Sequence, residues 1–121
     1  MSILSDPQRF LEEKLQKRFL SINTVRDGML ASMILSLQKK EEIRRGGDLD
    51  DAWRQNCVAG LRGKMVEVCE ANRIPTEYPT LEQLKLLRAR LEEVLEIDRL
   101  DPALREAHRQ VCDRLFDKAE E

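Results

Sequence analysis

The stretch Gly28-Met29-Leu30-Ala31-Ser32-Met33-Ile34-Leu35-Ser36-Leu37-Gln38 decides the fold. It is the longest charge-free run in the chain, eleven residues bracketed by Asp27 and Lys39. At about 100° per residue, Met29, Met33, Leu37, Leu30 and Ile34 sweep out an arc of about 140°, and Ala31 and Leu35 widen it to about 240°. The remaining sector holds Gly28, Ser32 and Ser36, at i, i+4 and i+8. A surface helix carries a charged face; this one has none. It has to be covered on most sides, either at the centre of a bundle or between two chains. The small residues allow another backbone to come close, and Met29 and Met33 are adaptable side chains suited to partner surfaces. Gly28, Met29, Ser32, Met33, Ser36 and Leu37 therefore form the candidate interaction surface.

Downstream, this helix spans about residues 25–45 and ends at Arg44-Arg45-Gly46-Gly47-Asp48. Basic residues suit a helix C-terminus, Gly46 can turn left-handed, and Asp48 can cap the next helix. That third helix runs to about Asn72, with Trp53, Cys57, Leu61, Met65 and Val68 on its inner face and Val58 and Cys69 at the margin. Gly60 and Gly63 each weaken it by about 1 kcal/mol relative to Ala, which makes sense where another helix crosses closely. Pro75 and Pro79 keep residues 74–80 from being helical throughout. Thr80-Leu81-Glu82-Gln83 reads as a capping box opening a fourth helix, through Leu84, Leu87, Leu91, Val94 and Leu95 to about Arg99. Asp101-Pro102 opens a fifth, with Leu104, His108, Val111, Cys112, Leu115 and Phe116 inward.

Upstream, the first helix spans about residues 5–20, capped by Ser5 or Asp6 with Pro7 in its first turn. Leu11, Leu15, Phe19 and Ile22 make one apolar stripe. Residues 21–24 read two ways: Asn23 or Thr24 caps a new helix, or the helix runs straight through. Short loops make neighbouring helices antiparallel. The expectation is an all-α, compact antiparallel bundle of four to five helices, one domain over residues 1–121.

Composition agrees. Hydrophobic residues make up 41% and charged residues 36%, a globular chain with a solvated exterior rather than a disordered one. Aromatic residues are only 4%, with five Gly and four Pro, too few for an all-β protein. Residues 1–7 do not read as a secretory leader. No apolar run approaches the roughly 20 residues a membrane span needs, so no membrane span is expected. Three cysteines make no disulfide framework and suggest a reducing compartment, the cytoplasm.

Chemistry finds little to work with. The one histidine, His108, lies four residues before Cys112, the only nucleophile–base pair in sequence reach. An interior imidazole beside a small thiol explains it more simply. Cys57, Cys69, Cys112 and His108 make up a zinc complement, but Cys57 and Cys69 are about 18 Å apart along one helix at about 1.5 Å per residue. A di-iron site needs two Glu-x-x-His motifs, and one histidine excludes it. Gly46-Gly47 lacks the strand before and the Lys-Ser/Thr after that a phosphate loop requires. No metal and no cofactor is expected.

Net charge is −2, a poor start for nucleic-acid binding. It is uneven: residues 1–47 carry nine Lys/Arg against six Asp/Glu, residues 48–121 twelve against seventeen. Tyr78, between two prolines, is a surface position or a docking motif. These features together point to a non-enzymatic protein–protein interaction module, an adaptor, small helical chaperone or assembly factor. It would act as a homodimer through the second helix, with the fourth as the alternative seam. The competing reading is a helical nucleic-acid-binding regulator with a basic patch at Arg44, Arg45, Arg54 and Arg62; a third is an enzyme using His108 and Cys112.

Overall fold

A long apolar helix at the centre, with four others around it, organises the computed structural model, which describes residues 6–119. The order is α1 (Pro7–Leu15), α2 (Ile22–Arg45), α3 (Asp51–Asn72), α4 (Leu81–Val94), a 3-10 turn (Ile97–Arg99) and α5 (Pro102–Asp117), with no strand among the described residues. The chain is an all-α helical bundle.

α2 packs against all four other helices. That is why its middle carries no charge. Val25, Met29, Leu30, Ala31, Met33 and Ile34 are buried in the core of the single chain, and burying the larger of these side chains contributes about 2 kcal/mol each. Side-chain contacts give the directions. Ser32 meets His108 and Leu20 meets Ala119, so α5 runs antiparallel to α2. Arg88 meets Asp113 and Glu92 meets His108, so α4 and α5 are antiparallel too. Arg26 reaches the Thr76 carbonyl, which sets the start of α2 beside the end of α3.

Several boundaries fall where local chemistry puts them. Asp6 caps α1 through the Arg9 amide and Pro7 follows it; Ser5 lies outside the described residues. Gly46 is left-handed at the end of α2 (φ 74°). Thr80 and Gln83 complete the capping box of α4. Asp101 caps α5, with Pro102 in the first turn.

Others move. α1 stops at Leu15 instead of continuing to residue 20, and Phe19, placed on the inner stripe by its spacing, is 56% exposed. α2 is capped by Ser21, whose hydroxyl accepts from the Thr24 amide, rather than by Asn23 or Thr24. Asn23 is occupied elsewhere: its side-chain oxygen accepts from the Tyr78 amide and from Arg26. Asp50, not Asp48, caps α3. α4 ends at Val94 because Glu96 turns left-handed (φ 57°), and residues 97–99 form a tight turn instead of a last helical turn. No helix crosses α3 at its glycines: both are exposed, and a Cβ on either would meet no described atom within 4 Å.

Candidate functional site

The polar groups of the interior converge on His108. It sits on the buried side of α5, aligned with Cys112 and Leu115. Ser32 and Ser36 lie on the one sector of α2 without large side chains, and α5 uses that sector to come close. A Cβ on Gly28 would fall 2.9 Å from both Cδ atoms of Leu115. The same close approach brings Ser32 Oγ to 2.8 Å from His108 Nδ1. Ser36 turns back along its own helix and donates to the Ser32 carbonyl at 2.9 Å.

From the other side α4 supplies Glu92, whose Oε2 lies 2.8 Å from His108 Nε2. The Glu92 carboxylate thus sits on one ring nitrogen and the Ser32 hydroxyl, which can donate or accept, on the other. Arg88 donates to Glu92 (3.3 Å) and to Asp113 (3.1 Å), and Asp113 also accepts from Arg109 (2.8 Å). Burial opposes charge on Glu92. The hydrogen bond from His108 and the charge of Arg88 outweigh it and hold the carboxyl below its usual value. A chain of polar contacts thus runs from α2 through α5 to α4, and ends in water.

Serine, histidine and glutamate are the residue types of a hydrolytic triad, and here they meet in the interior. Ser32 and His108 are each 3% exposed. The serine is on Nδ1 and the carboxylate on Nε2. Cys112, the other nucleophile within reach of the ring (Sγ 3.6 Å from Nε2), is fully buried. Burial pushes its thiol up to about 12, so it is protonated at neutral pH. Cys57 and Cys69 are raised by burial as well. They stay on one unbroken α3, and no group of three or more metal-ligating side chains is gathered among the described residues.

No family model, curated protein or solved structure matches this chain. Beside the His108 network lies a cavity of about 660 Å³, walled by Arg88, Glu92, Ile97, Arg105, His108 and Arg109. A smaller one of about 370 Å³ lies between α2, α3 and the loop after α3, over Leu30, Met65 and Val66. Both are lined by charges of both signs, since Glu106 and Asp98 rim the first, and Arg26, Asp27, Arg62 and Glu77 the second.

The residues singled out on α2 do not form an outer face. Gly28, Met29, Ser32, Met33 and Ser36 are buried within one chain, and Leu37 is half-buried. The close partner that Gly28 and Ser32 accommodate within the chain is α5. The basic candidates do not form a bare patch either. Arg44 and Arg45 both pair with Glu41, Arg54 pairs with Asp51 at 3.6 Å, and Arg62 lines the smaller cavity. Tyr78 is exposed in a left-handed turn (φ 54°).

The outer side of α3 carries a pattern of its own. Ala52, Asn56, Ala59, Gly63 and Val66 recur at intervals of four, three, four and three, and all are exposed. Gly60 lies beside them. The signal was present in the residue spacing, but it becomes meaningful only once the opposite face is known to be the buried one.

Proposed function

We propose that the protein is a non-enzymatic protein–protein interaction module, of the kind an adaptor, a small helical chaperone or an assembly factor represents. The docking surface is the outer face of α3 instead of α2. The observation that carries this reading is the pair Gly60 and Gly63. Each costs a helix about 1 kcal/mol relative to Ala, and nothing described in the chain packs against either. Flanked by Ala52, Asn56, Ala59 and Val66 at alternating spacings of four and three, they make a narrow seam of the width and period a partner helix needs. Only three of the 22 residues of α3, Leu61, Val68 and Cys69, are buried by the rest of the chain.

A binding role also fits the burial of Ser32 and Cys112 beside His108. A cytoplasmic location fits three unpaired thiols, and no helix among the described residues is long and apolar enough to cross a membrane.

The test compares capture from native lysate by the wild-type chain and by Gly60→Leu with Gly63→Leu. Both substitutions point into open space and improve helix propensity, so the variant stays folded. The expected result is a protein held by the wild type and lost by the variant. Identical capture by both, or no capture by either, removes the α3 seam.

A further inference from the structure

The bend between α1 and α2 contains no residue that forbids a continuous helix, and its one local signal is the Ser21 cap. Positions 16–21 read Gln16-Lys17-Arg18-Phe19-Leu20-Ser21, without a glycine or a proline, and Gln, Lys, Arg and Leu are good helix formers. Gln16 keeps right-handed helical dihedrals, φ −81° and ψ −18°. The apolar rhythm also crosses the bend. Continued at about 100° per residue, Leu11, Leu15, Phe19 and Ile22 stay in phase with Met29 and Met33, inside a sector of about 80°. In the bent chain that rhythm is broken and Phe19 is left in solvent.

The bend is held from outside. The Leu20 amide donates to the Lys118 carbonyl at 2.8 Å, and Lys118 Nζ donates to the Lys17 carbonyl at 2.8 Å. Leu20 is buried, and Ser21 caps the new helix. α1 is attached along one neighbour: it packs on α2 and makes no comparable contact elsewhere among the described residues. Its nine residues are too few to hold a helix in water alone. An α1 that leaves its own α2 therefore needs an equivalent surface, and the α2 of another copy supplies one.

We infer that residues 16–21 are a two-state hinge, and that straightening it joins α1 and α2 into one helix whose first part docks on the α2 of a second copy. The product is a reciprocal, domain-swapped homodimer. Each contact that α1 makes within the chain is remade between chains. The straightened form gives up the Lys118 latch and the Ser21 cap. It gains helical hydrogen bonds across the hinge and brings Phe19 into line with Leu15 and Ile22. The inference rests on reading the chain as an interaction module, but not on the α3 seam, whose residues take no part.

The full chain is refolded from denaturant at low micromolar and at millimolar concentration and sized by light scattering. Millimolar refolding yields a dimer that persists for hours after dilution, because α1 has to detach before the copies separate. Phe19→Pro, which interrupts the straight helix, yields monomer only. Should that variant fail to fold, Lys17→Gly with Arg18→Gly at exposed turn positions weakens the dimer about a hundredfold, from two glycines in each of two straightened helices. A wild-type chain that stays monomeric at every concentration overturns the inference. So does a dimer that forms equally in the hinge variants. Loss of the seam variant's lysate partner leaves this result unchanged.

Discussion

Ser32 and His108, 76 residues apart in sequence, share a buried hydrogen bond of 2.8 Å that fixes α5 against α2. Its energetic weight lies less in the bond itself than in what each partner becomes without the other. A buried polar group left unsatisfied costs about 1–3 kcal/mol.

Ser32→Ala is therefore expected to lower unfolding free energy by about 1–3 kcal/mol, by stranding Nδ1 of His108. His108→Ala costs more, since it opens a cavity, strands Ser32 and leaves Glu92 with Arg88 alone. The double variant should lose less than the sum of the two, by about 1 kcal/mol. Urea denaturation of the four proteins measures that difference. Strict additivity would show that the bond is not formed.

The Glu92 carboxyl gives the network a pH dependence of defined sign. Its folded value is lowered, despite burial, by the His108 hydrogen bond and the Arg88 charge. A depressed carboxyl contributes stability that is fully present above its unfolded value, about 4.3, and is lost as pH falls through the folded value. Glu92→Gln should thus be less stable than wild type at pH 7, with the gap closing below about pH 4. Chemical denaturation at about pH 7, 5 and 3 checks it. A gap that widens on acidification has the wrong sign.

The glycines separate a close approach from an open one. Gly60→Ala and Gly63→Ala should each stabilise the chain by about 1 kcal/mol, because the new methyl meets no described atom. Gly28→Ala presses on the buried Leu115 side chain at 2.9 Å and forfeits that gain through overpacking of about 1–3 kcal/mol. Thermal melts of the three single variants show two shifts upward and one flat or downward.

Arg73 closes α3 in the left-handed region, φ 56° and ψ 44°, where a side chain costs about 1–2 kcal/mol. It is exposed, so Arg73→Gly should raise stability by about 1 kcal/mol. A loss on this substitution, read by urea denaturation, would mean that the arginine side chain holds a contact worth more than the strain.

The thiols should be slow. Cys112, pushed up to about 12 by burial, remains unmodified by a thiol reagent at neutral pH until the chain unfolds. Cys57, only half-buried, is expected to react first. Rapid native-state labelling of Cys112, located by peptide mass spectrometry, would revive the nucleophile reading.

What could be read from residues alone was whatever depends on near neighbours in the chain. The Thr80–Gln83 box, the Asp101-Pro102 start and the left-handed Gly46 each need only a few consecutive residues, and each is where its chemistry puts it. The charge-free middle of α2 likewise announced that it would be covered. It could not announce by what, because α5, α4, α3 and α1 of one chain and the surface of a second copy offer the same apolar shelter. Tertiary packing decided that, and with it the outward turn of Phe19, the exposure of Gly60 and Gly63, and the meeting of Ser32 with His108. These depend on which surfaces are left over after the helices assemble, a property of the whole packed chain that no single segment carries.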